Sequence, residues 1–330
     1  MENKTVIYID YLDSYLDVLG DRFPVLIRRL VYMFLHFWGY VKADGNRLKL
    51  YCVEMDEISP RMINNLKEKL LLMDSKDVVL PNLLLGNSAF VNILEEYGYK
   101  ILRGKWLYKF LCFDIVQKIA CVQGKDIGDI EVSVLSNDDS EINIENIKLL
   151  AEKCKVVNVI SKNPRAFRVV ERYLYDEFGS IINVSTNKSK SCQYSDVILN
   201  FDFNINDLKK CKTKKQTVIV QFNKEKFENN NGVTIVFYKL NLPRKYLNVF
   251  EEYAQYNEEI LYESFLYYKT SFENVREILK RDNVSIRYFQ GCNGKLQFNE
   301  IKNLSWNSVL TNLEFSTIII PLIRYERGAW

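Results

Sequence analysis

The stretch KVVNVISKNPRAFRVVERYLYDEFGSIINV, residues 155–184, carries the information that fixes the fold. Val156 to Ile160 is a short apolar run of strand length, and Pro164 stands where a helix starts, because its missing N–H needs no partner there. Phe167, Val170, Tyr173, Leu174 and Phe178 then recur at helical spacing, and Gly179 suits the left-handed position that closes a helix. Ile181 to Val184 begins a second strand, so the segment reads strand, crossover helix, strand. The same pattern extends both ways: Ile130 to Leu135 precedes a helix over Ile144 to Lys155, and Val197 to Leu199, Thr217 to Val220 and Val233 to Phe237 follow. Short, continuously apolar strands separated by helices predict a largely parallel sheet covered on both faces. Residues 126–240 therefore read as a Rossmann-like doubly wound domain.

Ahead of it, residues 1–125 read as a smaller α/β domain. A strand is expected at Val6 to Ile9, and a buried amphipathic helix from Pro24 to Trp38. A hairpin follows about Asp44-Gly45-Asn46, then helices at Pro60 to Met73, from Asn87 or Ser88 to Glu96, and at Trp106 to Val122, closed by Gly124. Residues 241–330 read as a mainly helical, aromatic-rich region with a terminal strand pair. Thr270 and Glu273 form a capping-box candidate there, Val284 to Phe289 a strand, and Phe315 to Ile320 an apolar run. Asn229 to Gly232 reads as a plain loop. The fold class is thus α/β, with the parallel sheet central and the other two regions flanking it.

With 330 residues, 48% hydrophobic and 26% charged, the chain can bury a sizeable core, and a net charge of +3 gives no strong pull toward nucleic acid. Seven cysteines, at 52, 112, 121, 154, 192, 211 and 292, sit mostly inside apolar runs without close pairs, which reads as reduced core residues of a cytoplasmic protein. The opening residues lack the pattern of an export signal, and Arg28 and Arg29 interrupt the most apolar stretch, so neither a membrane span nor a membrane partner is expected.

The site chemistry is read from the turns after the strands. A dinucleotide-binding turn needs glycines that let backbone N–H groups approach a diphosphate. Here the first turn is Ser136-Asn137-Asp138-Asp139-Ser140, with two carboxylates and no glycine. Asp138, Asp139 or Ser140 is instead a cap for the helix that follows. The second turn, Ser161-Lys162-Asn163-Pro164-Arg165, places two cations where an acid would meet a ribose 2′-hydroxyl, an arrangement suited to a 2′-phosphate.

Together with Ser195-Asp196-Val197-Ile198-Leu199-Asn200, this segment resembles the NADP-binding domain of the shikimate dehydrogenase family over about a third of the chain. The resemblance implies that Lys162, Asn163 and Arg165 face an adenosine phosphate and that Asn200 lies near the nicotinamide. It lacks the family's glycine-rich loop and its catalytic motifs, so no catalytic residue is implied. His36, the one histidine, lies between Leu35 and Phe37 on an apolar face, which leaves little for histidine-based catalysis. No GxxxxGK[ST] is present, and Lys209, Lys210, Lys212, Lys214 and Lys215 read as a solvated loop.

The expected function is a degenerate Rossmann-like protein that binds a non-dinucleotide small molecule or a protein partner, with no cofactor. The alternative is a divergent NADP-dependent oxidoreductase. A nucleic-acid-binding protein is the third reading.

Overall fold

A computed structural model describes residues 6–12, 14–19, 22–53, 58–223, 232–243, 245–246, 253, 255–267, 271–296 and 301. In chain order the first part runs β1 (Ile7–Tyr11), α1 (Val25–Phe37), β2 (Val41–Asp44), β3 (Arg47–Leu50), α2 (Pro60–Leu71), β4 (Asp77–Val79), α3 (Asn82–Gly86), α4 (Ser88–Glu96) and β5 (Lys100–Ile101). Its strands form one sheet in the order β2-β3-β1-β4-β5. Only the β2–β3 hairpin is antiparallel, turning at Gly45 with φ of 57°, a conformation glycine adopts without strain.

The middle part runs α5 (Lys105–Phe110), α6 (Cys112–Gln123), β6 (Glu131–Leu135), α7 (Glu141–Lys153), β7 (Val156–Ile160), α8 (Pro164–Phe178), β8 (Ile182–Ser185), α9 (Lys188–Cys192), β9 (Val197–Asn200), α10 (Ile205–Leu208), β10 (Val218–Gln221) and β11 (Val233–Ile235). The sheet order is β8-β7-β6-β9-β10-β11, every neighbouring pair parallel. That is the 3-2-1-4-5-6 order of dinucleotide-binding Rossmann sheets, with the reversal of winding between β6 and β9.

The last part runs β12 (Phe237–Asn241), α11 (Glu258–Leu266), α12 (Phe272–Arg281), β13 (Ser285–Gly291) and β14 (Gly294–Lys295), its strands forming a small antiparallel sheet. The parallel sheet ends at Ile235, two residues before the expected limit, because the Val236 N–H turns to the carbonyl of Gln290 and commits the chain to β13. The expected helix over Trp106 to Val122 is two helices meeting at Leu111. Ser271 caps α12 by accepting the Asn274 N–H. Thr270, Phe315 to Ile320 and Asn229 to Asn231 lie outside the described residues.

One apolar cluster joins the parts: it runs from Val6 and Tyr8 through α5 and α6 to one face of the parallel sheet, and on to α11 and α12. Polar bonds reinforce this joint. The Tyr8 hydroxyl meets Ser264 Oγ at 2.9 Å, and the Tyr256 hydroxyl donates to the Ile9 carbonyl and the Asp10 carboxylate. The Arg47 guanidinium lies 4.3 Å from the centroid of the Tyr253 ring.

Two expectations are corrected. Helix α1 is not a core helix: of its residues only Tyr32 is buried, while Leu26 (69%), Phe34 (63%) and Phe37 (64%) are largely exposed. Its inward side carries Tyr32 and Arg28, whose guanidinium reaches the Leu16 carbonyl, so the apolar stripe is left facing outward. Among the described residues no helix is long and apolar enough to cross a membrane. The seven cysteines are free, but Cys121 is exposed, on the outer side of α6.

Candidate functional site

At the reversal of winding the turn after β6 faces the turn after β9, and in a doubly wound sheet ligands bind at that crevice. The N–H groups of Asn137, Asp138 and Ser140 there are already engaged. The Asp202 carboxylate accepts from the Asn137 N–H at 2.7 and 3.0 Å, from the Asp138 N–H at 2.9 Å and from Asn137 Nδ2 at 3.1 Å. Asn137 Oδ1 in turn accepts the Lys162 N–H at 2.9 Å, so one side chain ties together the turns after β6, β7 and β9.

The rest of the first turn is closed on itself. Buried Ser136 donates from Oγ to the Asp138 carbonyl and accepts from Asn143 Nδ2. Ser140 occupies the cap position of α7 but makes no side-chain cap bond; the Asp138 carboxylate accepts its N–H and hydroxyl instead. Asp139 is exposed.

The other sequence candidates are placed as follows. Lys162 sends its ammonium to Asp207 at 2.8 Å, beside Lys188 at 2.5 Å. Hydrogen bonds from Lys162 and Lys188 hold the Asp207 carboxyl down to about 2. Asn163 and Arg165 are exposed at the start of α8, where Asn163 donates its N–H to Ser161 Oγ. Asn200 is buried, with both ends of its amide bonded to the backbone of Phe203. Ser136, Asn137 and Lys162 thus lie on turns and Asn200 on the last position of β9, all at one end of the sheet and tied by protein bonds, while Arg165 is exposed. Of the lysine run, Lys214 is bonded to Asp196 at 2.7 Å and to the Tyr194 carbonyl, a structural role.

A second feature escaped the sequence. A cavity of about 780 Å³ opens beside the carboxyl end of β10, walled by Lys100, Arg103, Lys105, Trp106, Phe222 and Phe237 and closed below by Glu263. Gly104, at φ of 74°, brings the start of α5 against Phe237 so closely that an added Cβ would lie 2.8 Å from that ring. Glu263, 1% exposed, accepts the Gly104 N–H at 3.1 Å and the Leu107 N–H at 2.8 Å. Burial pushes its carboxyl up to about 7, against those bonds, which favour the charged form. Burial also brings the Lys105 ammonium down to about 8, while it donates to the Val236 carbonyl.

Two ionisable groups shifted toward neutrality by burial line this one cavity, which makes it the second candidate site. Among the described residues, three buried polar atoms of lining residues have no hydrogen-bond partner: Tyr99 Oη, Arg103 Nε and Asn223 Oδ1. The Phe203 carbonyl accepts both Asn200 and Asn223, linking the crevice to the cavity rim. The sequence signals were an acid two residues beyond Asn200 and a glutamate inside the apolar run of α11. Among the described residues no cluster of side chains could hold a metal ion.

No family model matches the sequence, and no curated protein matches it. Among solved structures, L-tryptophan dehydrogenase from Nostoc punctiforme is similar at 12% identity, with 92% of this chain and 87% of that one covered and a TM-score of 0.32. The dipicolinate synthase A chain from Bacillus subtilis is similar at 14% identity, covering 44% and 48%, with a TM-score of 0.29. Ornithine carbamoyltransferase from Pyrococcus furiosus is similar at 11% identity, covering 66% and 71%, with a TM-score of 0.25. At these values the likenesses assign no residue and no reaction.

Proposed function

We propose that this chain is a divergent Rossmann-like protein that binds a small molecule other than a dinucleotide, in the cavity walled by Lys105 and Trp106. The observation that carries this reading is the Asp202 carboxylate, which occupies the N–H groups a diphosphate would need. A dinucleotide would have to displace that carboxylate and then sit beside Asp138. The ligand class that fits the cavity is a partly apolar molecule with an acidic group. Phe222, Phe237 and Trp106 offer apolar walls, and the desolvated Lys105 ammonium gains most from an anionic neighbour.

Two measurements test the reading. Melting with millimolar NAD or NADP should shift the midpoint within error. A ligand at ~100 times its Kd adds about 2.7 kcal/mol, a shift of roughly 5–10 °C in a domain of this size. An NADP shift of that size, lost in Arg165→Ala, would instead establish the oxidoreductase alternative. Mass spectrometry of the purified protein after denaturation should release a small acidic molecule, absent from Lys105→Ala. Release of NADP, or an identical yield from the variant, sinks the cavity assignment.

A further inference from the structure

We propose that the outward face of α1 is a docking surface for an anionic membrane, on which the helix lies flat without crossing it. Leu26, Leu30, Met33, Phe34 and Phe37 follow one another at the spacing of a single helix face, and every one of them is exposed. A surface helix of a globular domain turns that stripe inward; α1 turns it to solvent and points Arg28 at the protein. Contiguous apolar patches of this kind mark contact with a partner or a membrane.

The charge around the stripe selects between partners. From Arg22 to Ala43 there is no acidic residue, while Arg22, Arg29 and Lys42 are exposed. Arg61, from α2, lies 5.3 Å from the centroid of the Phe37 ring and adds a fourth exposed cation. A second copy of the chain would set this cationic rim against itself, since a two-fold interface opposes like patches. A bilayer with anionic headgroups meets both features at once: the stripe enters the acyl boundary and the cations stay at the phosphates. Phe23 sits before the helix, and Trp38 and Tyr40 follow it, all exposed. Tryptophan and tyrosine are the side chains that settle at a headgroup boundary.

The test is flotation of the full chain with vesicles of phosphatidylcholine alone and of phosphatidylcholine with about a third phosphatidylglycerol. The protein should float with the anionic vesicles, weakly with the neutral ones, and less as salt rises. Leu30→Glu with Phe34→Glu should lower binding at least tenfold, and Arg22→Ala with Arg29→Ala roughly thirtyfold on anionic vesicles only. Because these side chains are exposed, both pairs should melt as the parent does, which separates lost docking from lost fold. Equal recovery with both vesicle types overturns the proposal, as does recovery with neither. In the second case a dimer in sedimentation velocity that Leu30→Glu with Phe34→Glu dissociates assigns the stripe to a second copy.

Discussion

Val157→Asp should give insoluble or unfolded protein, the largest effect expected of any single change in this chain. Val157 is 1% exposed on β7, pairing with Val132 of β6 on one side and Ile182 of β8 on the other. An aspartate there has no cation within the apolar cluster around it and no route to water. Burying an unpaired carboxylate costs several kcal/mol, a large part of the ~5–15 kcal/mol that holds a domain folded. The measurement is soluble yield with a thermal melt. A folded variant with an unchanged midpoint would remove β7 from the core.

The stability of the parent protein should fall as pH rises from about 4.5 to about 7, with Glu263 responsible. Its carboxyl is held at about 7 in the fold, against 4.5 as the ordinary value, because it is buried. Between those values the native state holds a proton that the unfolded chain releases, so the native state binds more protons and stability declines with pH. The contribution is fully present below about 4.5, is lost through about 7, and totals about 3 kcal/mol. The lowered carboxyls, Asp196, Asp207 and Asp282, act below this window with the opposite sign. Glu263→Gln keeps an acceptor for one of the two N–H groups and removes the titration. Denaturant melts of that variant should be level across the window; a slope that survives the substitution would clear Glu263 of the effect.

The parallel sheet was legible because its signals are local. Pro164 and Gly179 punctuate the helix between two short apolar runs, and each strand is continuous enough to be buried on both faces. Helix α1 was misread for a reason built into periodicity itself. Spacing shows that Leu26, Leu30 and Phe34 share a face, but the direction of that face depends on what the helix meets. Asp202 was missed because its importance arises only when β9 lies against β6, a neighbour 65 residues away across two strands. The cavity was hidden for the same cause: Lys105, Phe222, Phe237 and Glu263 converge from four separate segments. Asn200, expected near a nicotinamide, has its amide bonded to the Phe203 backbone.

The bonds that tie β1 to the far end of the chain set an order of assembly during synthesis. β1 is the middle strand of the first sheet, and all five strands of that sheet have left the ribosome soon after Ile101. Yet the Tyr8 hydroxyl waits for Ser264, and Asp10, 9% exposed, waits for Tyr256. Closing so long a loop adds little to the thermodynamic cost, which grows only with the logarithm of length, but it delays the contact. A nascent chain stopped short of Tyr256 therefore presents a half-sealed sheet in which Asp10 has Arg47 beside it but Tyr8 and the apolar residues next to it are uncovered. The N-terminal sheet is made first and finished last.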